Sequence, residues 1–229
     1  MSEEHATDRF YLKMGLLLLA LVVLGFGSAA IERGSNPADL PLIYHLHGLS
    51  YLLWFSLFIF QSSLINNRNY ALHKKLGYAS PLVLGSMLVT GIVVATASYE
   101  RGTSPVPGTS IQQFLAFPLA DLLGLTVFYA MGVITRGKAL FHKHCMLMAC
   151  IAIMDPALAR FSFSLGFAPL AILLHAGLVG LVIFHDRRTD GKVHPVTWMG
   201  LAFVILRIVF IFGLAATPVW ASLMNHIFD

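Results

Sequence analysis

Charge is what this 229-residue chain has least of. Asp, Glu, Lys and Arg make up 11% of it, against 57% hydrophobic residues and a mean hydropathy of +0.77. Soluble domains carry roughly 25% charged residues. A deficit spread along the whole chain excludes an ordinary water-soluble domain and makes lipid the expected solvent. Cysteine is scarce too. Cys145 and Cys150 are the only two, and five apart on one helix they point to different faces, which excludes a disulfide framework. There is no Gly-rich phosphate loop, no nucleophile elbow, no His-Glu-x-x-His and no lysine in the last apolar segment. Those absences exclude phosphate-loop nucleotide binding, elbow-type serine hydrolysis, zincin chemistry and a retinal-type Schiff base on that segment. Nothing resembles a nucleic-acid module. The first apolar run is not followed by a small-residue cleavage site, so it reads as a retained helix and not a signal peptide.

What the chain has is long apolar runs. A span needs about 20 such residues at 1.5 Å rise each. Seven segments qualify, at about 10–31, 41–65, 76–98, 111–134, 142–160, 168–185 and 196–220. Breakers separate them: Asn36-Pro37, Asn66-Asn67, Pro105 to Gly108, and the pair Gly166 and Pro169. The expected fold is all-α, a single transmembrane domain of seven helices.

Direction follows from the basic residues. Eleven of the fifteen fall on one side: Arg9, Lys13, Arg68, Lys74, Lys75, Arg136, Lys138, Lys143, Arg187, Arg188 and Lys192. The other side has Arg33 and Arg101, each beside a glutamate (Glu32, Glu100). This bias predicts a cytoplasmic N-terminus, an outer C-terminus and a multi-pass protein of the inner membrane. The net charge of +4 is then a consequence of topology, with the anionic bilayer as a sufficient partner.

Six ionisable residues interrupt the apolar spans: His47, Asp121, Asp155, Arg160, His175 and Arg207. Each is costly in hydrocarbon, is expected to be paired, and marks a candidate site. Counting at 1.5 Å per residue places His47 and His175 about 9–10 Å below the outer ends of their spans, with Asp155 at a similar level. Asp121 and Arg207 fall near the midplane, about 13–16 Å in, and are the natural ion pair. Arg160 lies near the outer interface and offers Asp155 an alternative partner. Pro156 predicts a kink beside Asp155.

Two histidines and a carboxylate at one level predict a metal site of His47, Asp155 and His175 for iron, zinc or copper. The same two histidines suit the axial positions of a b-type haem. A proton relay is the third option, and interhelical hydrogen bonding without further function is the plain one. A second histidine group, His73, His142, His144, His185 and His194 with Asp186, gathers at the basic side. His73, His142, His185, Asp186 and His194 are its candidate metal ligands, although no recognised ligand spacing appears among them.

His47-Gly48, Trp54, Gln61 and Leu72-His73-Lys74-Lys75-Leu76-Gly77 resemble a widespread bacterial group of uncharacterised multi-pass membrane proteins. So do His142-Lys143 with Met146, the stretch from Asp155 to Arg160, His185-Asp186 with His194-Pro195, and the segment from Leu206-Arg207 to Thr217-Pro218. The resemblance covers most of the chain after the first helix. It implies a bundle of about seven helices and no particular activity. A fainter similarity runs to transmembrane b-type cytochromes, where a histidine followed by a basic residue opens helices that face haem. Those proteins hold paired histidines inside four core helices. Here only His47 and His175 lie well inside, which fits one haem and not two.

Three functions follow as expectations. The first is a membrane oxidoreductase with haem or metal on His47 and His175. In it Asp155 is a ligand or proton acceptor, Asp121 and Arg207 set the field, and a quinone or another lipophilic molecule is the partner. The second is a transporter or sensor in which Asp121, Arg207 and Asp155 line a polar path. The third is a metal-dependent lipid hydrolase with Asp155 or Asp121 as base.

Overall fold

The computed structural model describes the backbone of residues 3–34 and 36–228. It describes side chains from residue 9 onward, apart from residues 33, 35, 37 and 229, so the side chain of Arg33 lies outside the described residues. Among the described residues every regular element is a helix, and no strand is present. The helices are α1 (Glu3–Arg33), α2 (Leu42–Asn66), α3 (Tyr70–Gly77), α4 (Ser80–Glu100), α5 (Ile111–Ile134), α6 (Ala139–Ala152), α7 (Asp155–Ser164), α8 (Leu170–Asp190), α9 (Pro195–Phe212) and α10 (Pro218–Phe228).

Six stretches are long and apolar enough to cross a membrane: Arg9–Glu32, Leu42–Asn66, Tyr70–Glu100, Ile111–Ile134, Leu170–Asp190 and Pro195–Ala216. The bent pair α6 and α7 makes a seventh if it is one span. The outward faces are themselves apolar. Leu82 is 78% exposed, Leu123 63% and Leu206 65%. Water would reject such a surface, and hydrocarbon accepts it. The protein is an all-helical bundle with six or seven candidate membrane spans, consistent with a multi-pass membrane protein.

Three departures from straight spans matter. The stretch expected at 142–160 breaks at Ile153 and Met154, and α7 leaves α6 at 43°. Pro156 is the cause: it has no N–H for the carbonyl of Ala152, and its ring displaces that carbonyl. Asp155 thereby opens a new helix inside the bundle, where the positive end of the helix dipole favours a carboxylate. The span expected at 76–98 begins earlier, with the short α3. Asn69 starts α3 by accepting a hydrogen bond from the Leu72 N–H at 3.2 Å. The segment expected at 196–220 ends at Phe212. Gly213 and a 3-10 turn at Leu214–Ala216 reverse the chain, and Pro218 starts α10. Trp220 donates its indole N–H to the Gln112 carbonyl at 2.7 Å. That contact helps seat α10 on α5.

The broken helix is the centre of the bundle. Residues 147–155 are all buried. α1 packs on α7, α2 and α6, while α5 and α9 pack on α6, and α8 packs on α7 and α9. Close approach requires a missing side chain at Gly25, where a Cβ would overlap the Ala157 carbonyl. Two polar groups of side chains are built on this frame, one on each side of an apolar layer that includes Met148, Ile151, Val179, Val182 and Val204.

Candidate functional site

Arg207 on α9 is the hub of the group in the middle of the bundle. Its Nε–H donates to Asp121 Oδ1 on α5 at 2.8 Å, and its Nη2 stands 2.8 Å from Asp155 Oδ2. Its guanidinium carbon lies 5.5 Å from the centre of the Phe117 ring. On the far side of Asp155, His175 Nδ1 of α8 lies 3.8 Å from Oδ1. All four residues are buried. The Asp121–Arg207 pair expected from matched depths is present, and the break at Pro156 turns Asp155 onto the same guanidinium. Arg160 turns elsewhere: it donates to the Pro156 carbonyl at 2.8 Å and lies over the Phe26 ring.

Charge bookkeeping gives this group its chemical character. Two carboxylates and one guanidinium sum to one negative charge. An uncompensated buried charge is very costly. One more proton, on His175 or on a carboxylate, makes the group neutral. Asp121 Oδ2 and His175 Nε2 are buried and have no hydrogen-bond partner among the described residues, so the group has unused positions for that proton or for a water molecule.

Among the described residues His47 makes no hydrogen bond or ion pair to this group. Its ring sits 4.5 Å from that of Tyr51, and its Nδ1 is buried without a partner among the described residues. Among the described residues no three or more His, Cys, Asp or Glu side chains stand in a metal-holding arrangement. The expected set His47, Asp155 and His175 is therefore not assembled. The physical reason is that Asp155 is held by Arg207, a cation that competes for the same carboxylate oxygens.

The group at the basic end is centred on His144, a residue absent from the metal set expected there. His144 Nε2 lies 2.9 Å from Asp186 Oδ1. The other oxygen, Asp186 Oδ2, accepts from Thr197 Oγ1 at 2.6 Å and from the His194 backbone N–H at 3.0 Å. At the opposite edge of the ring, His144 Nδ1 is 2.8 Å from the Leu140 carbonyl and 2.9 Å from the Tyr11 hydroxyl. Both Nδ1 states are thus provided for. Bare, it accepts from Tyr11; protonated, it donates to Leu140, and Nε2–H faces Asp186 in either case. The His194 ring stacks on His144 at 4.2 Å, and its Nδ1 accepts from the Val196 N–H at 3.3 Å to cap α9. Burial, and then the neighbouring His144, hold the His194 pKa below the usual histidine value, partly offset by Asp186 and Asp190.

The remaining histidines stand apart from a single ligand set. His142 Nδ1 donates to the Gly132 carbonyl at 2.8 Å, and His73 meets it edge-on at 6.3 Å between ring centres. His185 stacks on Phe10 at 3.7 Å. So the second expected metal cluster (His73, His142, His185, Asp186, His194) divides into separate contacts. Ring nitrogens spent on backbone groups and carboxylate oxygens spent on Thr197 and backbone are not free to ligate. His144 was legible in principle: it is the one basic-side histidine that falls on a helix face continued by Leu147, Met148 and Ile151, all buried.

The two groups share helices. His175 and Asp186 are eleven residues apart on α8, and Thr197 and Arg207 ten apart on α9, so about 15 Å separates them along the bundle.

No family model matches this chain. No curated protein and no solved structure matches it either. The multi-pass helical character rests on the structure itself.

Proposed function

We propose that this protein takes up and releases protons inside the bilayer, as a proton-coupled transporter or a proton-responsive sensor. The observation that carries this is the charge imbalance around Arg207. Asp121, Asp155 and Arg207 need one further proton to be neutral, and His175 stands beside Asp155 to share it. The His144 group supplies the exchange point at the basic end, since Nδ1 has a partner in each protonation state. By the basic-residue bias that end is cytoplasmic, with the C-terminus outside, and the membrane is the inner membrane.

The test uses protein reconstituted into liposomes with a trapped pH dye and an imposed potential. Faster internal pH change than in empty liposomes is expected, falling at least tenfold in His144→Ala. Infrared difference spectra between acid and neutral pH should also show a carboxylic C=O band that disappears in Asp155→Asn or Asp121→Asn. Absence of both the flux and such a band would sink the proposal.

A second reading, the haem-binding oxidoreductase with a quinone-like partner, has one observation in its favour. His175 Nε2 has no partner among the described residues while a carboxylate stands 3.8 Å from its Nδ1, the arrangement that orients ligating histidines. His47 and His175 would hold the group, which would supply one-electron chemistry when bound. An absorption spectrum of purified protein decides it: a haem band lost in His175→Ala supports it. The lipid-hydrolase reading has no separate observation in its favour.

A further inference from the structure

A groove of about 330 Å³ opens between α1 and α8 at the basic end of the bundle. The stacked rings of Phe10 and His185 bridge it. Its walls are graded along the membrane normal. α1 enters the bundle from this end, so Lys13 lies above Leu17 by about 6 Å. α8 arrives at this end, so Arg188 lies above Phe184, and above Leu181 by about 10 Å. Since Phe10 and His185 stack at one level, Arg188 stands about 5 Å above that pair at the mouth and Lys13 about 5 Å below it, with Leu181 and Leu17 deeper still. His185 lines the groove between the levels of the two cations, and its Nε2 has no hydrogen-bond partner among the described residues.

We infer that this groove binds one anionic glycerophospholipid, with its phosphate between Lys13 and Arg188 and an acyl chain along Leu17, Leu181 and Phe184. The argument is complementarity of charge and of polarity gradient. A phospholipid has an anionic head and an apolar tail in the order that the groove presents, and lipid at this depth is the solvent. Basic pockets between membrane helices hold such head groups, whereas a zwitterionic lipid offers no net charge to two cations. The inference rests on the membrane reading of the chain and is independent of proton exchange.

The experiment measures lipid binding to detergent-purified protein by native mass spectrometry, titrating phosphatidylglycerol and phosphatidylcholine. Wild-type protein should retain one phosphatidylglycerol at concentrations where phosphatidylcholine is lost. Lys13→Ala with Arg188→Ala should weaken that binding about 30-fold, from about one cation's attraction at each position. Leu181→Trp, which fills the trough and leaves the cations in place, should weaken it as well. Lys74→Ala with Lys75→Ala, at the same end but outside the groove, should leave it unchanged. Equal retention of the two lipids would overturn the inference, as would equal losses in the two double variants. Competition by inorganic phosphate at equal concentration would also overturn it, by showing a free-anion site.

Discussion

Arg207 and Asp121 are 86 residues apart in sequence and meet at 2.8 Å in the middle of the bundle, both almost wholly buried. The contact joins α9 to α5, and Asp155 on α7 closes on the same guanidinium. One cation thus organises three helices, and its removal and its neutralisation have different costs.

Replacing Arg207 by Met strands two carboxylates in an apolar surrounding, and removing one partner of a buried pair typically costs about 3–5 kcal/mol. Asp121→Asn keeps the shape, leaves Arg207 with Asp155 as a neutral pair and should cost clearly less. Thermal unfolding in detergent gives the order. An Arg207→Met variant as stable as Asp121→Asn would contradict the charge argument.

At Asp186 the two oxygens serve three donors. Thr197→Val removes one of them without changing volume and should destabilise by about 1–3 kcal/mol. Asp186→Ala leaves His144, Thr197 and the His194 N–H together without an acceptor and should cost more than Thr197→Val. Chemical denaturation of the two variants side by side measures the difference.

His194 supplies a pH dependence with a definite sign. Its folded-state pKa lies below the ordinary 6.5, and its Nδ1 is needed bare as the cap of α9. The unfolded chain therefore binds this proton first as pH falls. Its contribution to stability is complete above pH 6.5 and is lost as pH drops below that value. His194→Asn keeps a capping side chain without a titrating ring, so its melting temperature should fall less steeply than wild type between pH 6.5 and 5. Parallel slopes would show that other groups set the acid limit.

Two glycines of α1 separate packing from propensity. Gly25 lies against the Ala157 carbonyl, whereas nothing stands within 4 Å of a Cβ at Gly27. Gly25→Val should push α1 off α7 at a cost of about 1–3 kcal/mol or more. Gly27→Ala should be neutral, or stabilising by up to about 1 kcal/mol through helix propensity. Melting temperatures of the two variants, measured in one detergent, make the comparison.

The number of apolar segments, their lengths and the positions of their charged residues are local properties, and lipid as solvent makes them decisive: a run of about 20 apolar residues has few stable fates other than a spanning helix. Hence the all-helical architecture, six of the seven spans and the Asp121–Arg207 pair could be read from the sequence. Pro156 announced the bend beside Asp155 for the same reason, because a missing N–H is written in the residue itself. Tertiary structure decided the rest. Depth counting placed His47, Asp155 and His175 at one level, but a level is a ring around the bundle, and only helix rotation and order bring Asp155 to Arg207. The burial of His144 is legible from its face on α6, but its partners Tyr11 and Asp186 come from α1 and α8, which no single segment carries. The end of α9 at Gly213 and the return of α10 onto Gln112 likewise depend on contacts between segments. Apolar periodicity determines which residues leave water; which of them meet is a property of the assembled bundle.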